Sequence, residues 1–233
     1  MTGCDILVYM PRIARIDIGD EIYHVINRAN GRAQIFNTPN DYRLFEELME
    51  EAKKLTDMRI FAYEIMPNHW HLILSPRKDG DLGFFMHQLT NSHTRNVRVS
   101  TGTVGTGHLY QGRYKSFLVD SENYLLAVIK YTERNSVRAK LVSRCEDWQW
   151  GSAWRRIHGT TKQKKLLDQT MPIELPEDYI SWVNFSEASD ELNAIRQSVN
   201  KSMPYGREDW VEKMVINHHL ETTLRNAGRP KKN

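Results

Sequence analysis

The sequence predicts an α+β protein. The expected architecture is a ferredoxin-like βαββαβ sandwich with an antiparallel sheet, an additional helix bearing Tyr131, and a mainly helical C-terminal extension. Three observations carry this. Stretches of strand-like alternation and of helical periodicity follow one another as strand–helix–strand–strand–helix–strand. The second and third strands are joined only by the turn Met66-Pro67-Asn68. Each helix carries one apolar stripe, so helices can cover one face of the sheet.

Residues 1–15 read as irregular, with a second possible start at Met10 that makes the first nine residues peripheral. Glu21 to Arg28 reads as the first strand, with Ile22, His24 and Ile26 on one face. Asn30-Gly31 turns the chain. A helix follows, capped by Asn37 or Thr38, with Pro39 in its first turn and Phe45, Met49 and Ala52 at helical spacing, ending near Thr56. Arg59 to Ile65 is the second strand, and the third opens with His69-Trp70-His71 and continues into Leu-Ile-Leu. Asp79-Gly80-Asp81 breaks the chain before a helix over about 82–99, anchored by Phe85, Leu89 and Val97. Ser100 to Gly107 is a Gly/Thr loop, and Tyr110 to Val119 reads as extended.

The additional helix starts at Asp120 or Ser121, both good caps, and runs to about Ser136 with Leu125, Val128, Ile129 and Thr132 inward. Tyr124, Tyr131 and Asn135 lie on its flank, the last two four residues apart and so stacked neighbours. The Trp-rich stretch 148–154 packs back on this domain, which spans 10–158. The extension, 159–233, opens with a lysine-rich linker, continues through helical stretches near 186–200 and 208–220, and ends in a basic tail expected to be disordered.

Composition sets the class. With 40% apolar and 26% charged residues the chain is globular, and no run of about 18 apolar residues is present to span a membrane. Two cysteines exclude a disulfide framework or a Cys-rich zinc site and imply a cytoplasmic location. The net charge of +3 is small, but its distribution is uneven. Leu82 to Val119 contains no acid, Met171 to Leu192 contains no Lys or Arg, and the last nine residues hold four basic groups. Segregated basic stretches suit a nucleic-acid partner.

His69 and His71 point to the same face of a strand, about 7 Å apart, where two imidazoles can share a divalent metal; two polar residues on a solvated face is the other reading. A metal there leaves open positions for phosphate oxygens. A tyrosine, whose phenol has a pKa of about 10, can attack phosphorus once assisted. A helix carrying Tyr131 and Asn135 supplies a nucleophile and a third ligand together, with Tyr124 as the rival nucleophile.

Several stretches bear on this chemistry: YHVINRANGRAQIF, MPNHWHLIL, GHLYQGRYKSF, YTERNSVRAKLV, WQWGS, PYGREDW and the terminal AGRPKK. In these the chain resembles the REP-associated tyrosine transposases, within the HUH single-tyrosine transposase superfamily. The resemblance covers roughly residues 10–155 and the tail, and the combination is far more specific than any one motif. It implies a ferredoxin-like catalytic domain that cleaves single-stranded DNA. Carried over, His69 and His71 are metal ligands for Mg²⁺ or Mn²⁺. Tyr131 is the nucleophile that becomes joined to a DNA 5′-phosphate and releases a 3′-hydroxyl, and Asn135 is the ligand near the metal. The family's Asn-Pro-Val is here Asn135-Ser136-Val137, a departure that bears on how the helix ends.

For DNA contacts the sequence offers Arg28, Arg95, Arg98, Arg113 and Lys115 along a phosphate backbone, Tyr110 and Tyr114 as platforms for unpaired bases, and Arg229, Lys231 and Lys232 in the tail. The partner implied is single-stranded or hairpin DNA, with no obligate protein partner evident. Two other functions compete: a ferredoxin-like nucleic-acid binder without catalysis, and a metal phosphohydrolase that uses water.

Overall fold

The structure, a computed structural model, describes residues 15–121 and 123–224. The two termini, including Arg229, Lys231 and Lys232, lie outside the described residues. Four strands, β1 (Tyr23–Arg28), β2 (Arg59–Met66), β3 (His69–Ser75) and β4 (Lys115–Leu118), form one sheet in the order β2-β3-β1-β4. All three pairings are antiparallel. With α1 (Pro39–Thr56) between β1 and β2 and α2 (Asp81–Ser100) between β3 and β4, this is the ferredoxin-like βαββαβ order.

Local chemistry explains the sharp boundaries. Thr38 is the N-cap of α1, Pro39 occupies the first turn, and the Asp41 carboxylate accepts from the N–H groups of Asn37 and Thr38, both at 2.8 Å. Asp17 does the same for α2, accepting from Leu82 N at 3.0 Å and Gly83 N at 2.6 Å. The extended segment expected over 110–119 is shorter than its sequence suggests. Only Lys115–Leu118 forms a strand, and Tyr110 keeps a single bridge to Ala29.

The sheet is buried on both faces. Tyr23, Val25, Trp70, Leu72 and Leu74 face α1 and α2 and join Phe45, Met49 and Phe85 in one core. Ile22, Ile73 and Phe117 face the other way and join α3 (Asn123–Glu133) through Leu125, Val128 and Ile129. The chain beyond 158 contributes to both cores, with Leu166, Leu167 and Met214 in the first and Tyr179, Val183 and Ile195 in the second. These belong to the segment that holds α6 (Thr161–Lys164), α7 (Tyr179–Asn184), α8 (Ser189–Lys201) and α9 (Glu208–Asn217). Among the described residues no helix is long and apolar enough to cross a membrane.

The helix expected to run from Asp120 to Ser136 is interrupted. α3 ends at Glu133, Arg134 sits at φ −93° and ψ 3°, and α4 (Asn135–Arg138) resumes. Two side chains divert the helical ladder there. The Arg138 guanidinium donates to the Tyr131 carbonyl, and the Ser136 N–H donates to Glu64 Oε1 at 3.2 Å.

Gly151, just ahead of α5 (Ser152–His158), is fixed by that same glutamate. A Cβ at this position would clash with Glu64 Oε2, and Glu64 is fully buried in β2. Gly151→Ala is therefore expected to lower stability by about 1–3 kcal/mol through overpacking. Urea unfolding of Gly151→Ala, Glu64→Ala and the double variant checks it. The double variant should lose less than the sum of the singles, because removing the carboxyl removes the clash.

Candidate active site

Strand register assembles the site. Arg28 lies opposite His69, Ile26 opposite His71, and Glu64 opposite His71 on the other side. Directly opposed residues share a face, so His69, His71, Glu64, Ile26 and Arg28 all point toward α3 rather than α1 and α2. Trp70, between the histidines, points the other way into the first core.

The site face is not the open, solvated surface that a strand pattern alone permits. His71 is only 2% exposed, while His69 is half-buried at the rim. Their ring centroids are 5.2 Å apart. Burial pushes the His69 imidazole down to about 4 and holds His71 well below its ordinary value, so both rings are neutral at physiological pH. The Nδ1 atoms of both rings are engaged. His69 Nδ1 meets Asn68 Oδ1 at 2.6 Å and His71 Nδ1 meets His24 Nε2 at 2.8 Å. Each ring is left with its Nε2 for a ligand.

Tyr131 closes the site from α3. Its ring lies edge-on to His71, with centroids 5.9 Å apart, and to His24 at 6.1 Å. Tyr124 instead meets Tyr205 at 5.2 Å. Burial raises the Tyr131 phenol above its ordinary pKa, opposed by the Arg138 and Arg196 charges. The Arg138 guanidinium sits over the ring, 4.3 Å from its centroid. Arg138 and Arg134 both form ion pairs with Glu187, which lies just before α8.

Asn135 starts α4, half-buried, and its Nδ2 is buried without a partner. Beside it Glu64 is fully buried, and burial before any other cause raises its carboxyl well above the usual range. Glu133, two residues before Asn135, is satisfied on all sides: Ser152 Oγ and Tyr179 Oη donate to it, and Arg156 pairs with it at 3.5 Å.

The donor set fits a divalent ion. Two neutral imidazoles each present an uncommitted Nε2, and Asn135 adds a carboxamide whose oxygen, not its unpartnered Nδ2, is the atom able to ligate. Among the described residues no group of three His, Cys, Asp or Glu converges, so further donors to such an ion come from amide, water or substrate oxygens.

The basic residues separate into groups. Arg28, Arg113 and Lys115 line one hollow of about 340 Å³ with Ile26, Gln111 and Asn200, next to the histidines. Arg95 is exposed but lies in the groove between α1 and α2, on the far side of the sheet. Arg98 is committed to structure, donating to Thr103 Oγ1, Thr106 Oγ1 and the Gly107 carbonyl, which shapes the loop after α2. Tyr110 is a core residue. Its hydroxyl accepts from Trp70 Nε1 at 3.1 Å and reaches His93 Nδ1 at 2.7 Å, leaving no face to stack on a base. Tyr114 is buried too, with the Arg15 guanidinium 3.9 Å from its ring centroid.

Sequence reading missed His24, Glu64 and Arg138 at this site. His24 had a signal, because it shares the strand face of Ile22 and Ile26, but its contact with His71 depends on the β1–β3 register.

The matches to known proteins place the chain among transposases. It belongs to the IS200-like transposase family, whose model matches residues 19–135, half of the chain of 233. Among solved structures, a REP-associated tyrosine transposase bound to a REP hairpin is similar over 77% of this chain and 93% of its own, with 15% identity and a TM-score of 0.50. A Deinococcus radiodurans chain assigned as a transposase covers 52% of this chain and 95% of its own, with 19% identity and a TM-score of 0.38. At such identities the first likeness speaks to the fold alone. No curated protein matches the sequence.

Proposed function

We propose that this transposase is a metal-dependent endonuclease and strand transferase of the REP-associated tyrosine type, acting on single-stranded or hairpin DNA through a 5′-phosphotyrosine. The observation that carries this reading is the placement of the Tyr131 ring against His71 while Tyr124 turns away to Tyr205. The REP hairpin in the fold's solved neighbour supports DNA as the partner.

In this reading the Tyr131 oxygen attacks a backbone phosphorus. The bond from phosphorus to O3′ breaks, the phenol loses its proton, and O3′ leaves as a hydroxyl, so the DNA 5′-phosphate stays on the enzyme. The buried phenol starts protonated, and Arg138 above its ring favours the anion as the proton departs. His69 and His71 through Nε2, with Asn135, hold the divalent ion. When bound, Mg²⁺ or Mn²⁺ supplies Lewis-acid polarisation of the phosphate and stabilises charge on the leaving oxygen. Arg28, Arg113 and Lys115 receive the neighbouring phosphates.

The test is incubation with hairpin DNA from the gene's own flanks, end-labelled and single-stranded at its base, with Mn²⁺. A denaturing gel should show a protease-sensitive protein–DNA adduct that EDTA prevents. Cleavage without an adduct would point to water as the nucleophile, and binding without cleavage to a non-catalytic DNA binder; either result overturns the reading.

A further inference from the structure

The mechanism above makes no use of His24, although it touches a proposed ligand directly. It is fully buried, its Nε2 lies 2.8 Å from His71 Nδ1, and its ring stacks on Phe117 with centroids 4.8 Å apart. β1 and β4 therefore hold the imidazole in one place, since His24 opposes Phe117 in register. Its other nitrogen, Nδ1, is buried with no partner.

Two neutral imidazoles can share that contact in only two ways. If His24 Nε2–H donates, His71 accepts on Nδ1 and carries its own proton on Nε2. No lone pair is then left there for a cation. If His71 Nδ1–H donates, His71 Nε2 is a free lone pair aimed at the site, and the His24 proton moves to the unpartnered Nδ1. Only the second arrangement can ligate.

We propose that His24 is a positioning residue that accepts the Nδ1–H of His71, fixing the tautomer in which His71 Nε2 binds the divalent ion. This rests on the metal reading proposed above. A ligating histidine whose second nitrogen is held by an outer partner typically loses about 10–100-fold in metal affinity when that partner is removed. The contact also couples the strands, because a cation bound at His71 selects a proton position on a residue of β1. The His24 Nδ1–H that this tautomer requires is buried without a partner among the described residues.

The experiment measures Mn²⁺ affinity, by electron paramagnetic resonance of the free ion, for the full chain and for His24→Leu and His24→Gln. Glutamine presents an amide oxygen near the place of Nε2 and can accept the same proton; leucine fills the space and cannot. His24→Leu should bind Mn²⁺ about 10–100-fold more weakly, and His24→Gln should recover most of that loss. Equal losses in both, or wild-type affinity in His24→Leu, overturn the proposal. Should His24→Leu fail to fold, long-range ¹H–¹⁵N spectra of the metal-free wild-type chain decide. Protonated Nδ1 on His71 supports the role, and protonated Nε2 overturns it. Wild-type protein that binds no more Mn²⁺ than a His69→Ala/His71→Ala chain would instead remove the metal reading, and this role with it.

Discussion

Tyr131→Phe is expected to abolish the covalent protein–DNA adduct, lowering strand cleavage by roughly 10³-fold or more while leaving DNA binding near wild type. The substitution removes one oxygen and keeps the ring. That ring packs against His71 and His24 and under the Arg138 guanidinium. Its hydroxyl forms no hydrogen bond among the described residues, so no partner is left unsatisfied by its loss and the melting temperature should hold. Tyr124→Phe is the matched control. It changes a ring that meets Tyr205 and should still form the adduct. Peptide mapping of the trapped complex reads the attachment point directly. An adduct on Tyr124, or one that survives in Tyr131→Phe, would reassign the nucleophile.

The second large effect is expected from the histidines. His69→Ala and His71→Ala should each reduce Mn²⁺-supported cleavage to background, since loss of a ligand exceeds the roughly 10–100-fold that follows loss of an outer partner. Their stabilities should differ. His69 is at the rim, whereas His71 is 2% exposed and wedged between His24, Tyr131 and β2. Truncating His71 opens a cavity and strands His24, so its melting temperature should fall by roughly 5 °C while that of His69→Ala stays close to wild type. Activity assays at 20 °C, paired with thermal melts, separate lost chemistry from lost folding. A cleavage rate unchanged in the double variant would dismiss the metal site.

How much of this was legible depended on whether the cause was local. The boundaries of α1 follow from Thr38, Pro39 and Asp41, all within four residues, and the shared face of His69 and His71 follows from strand alternation. The features that escaped are non-local. Leu82 to Val119 is one acid-free run in sequence, but α2 lies on the opposite side of the sheet from the histidines. The fold therefore sends Arg95 away and leaves only Arg113 and Lys115 beside Arg28. Tyr110 looked available because nothing nearby in sequence hides it; Trp70, 40 residues earlier, accounts for its burial. The break after Glu133 has the same origin. Helical propensity runs through Asn135, and it takes Glu64, 72 residues away, to draw off the Ser136 N–H.

Glu187 gives the gene a longer working length than its motifs suggest. No residue named in the proposed chemistry lies beyond Arg138, yet Arg138 and Arg134 are held by a carboxylate 3% exposed that is encoded nearly fifty codons downstream. Tyr179, encoded before it, caps the buried Glu133 in the same way. A reading frame interrupted after the tryptophan block would keep all of residues 19–135, which the family model matches, and still leave two arginines and a glutamate without these partners behind the tyrosine. Motifs intact through the tryptophan block are therefore a poor guide to whether a shortened chain still supports its tyrosine.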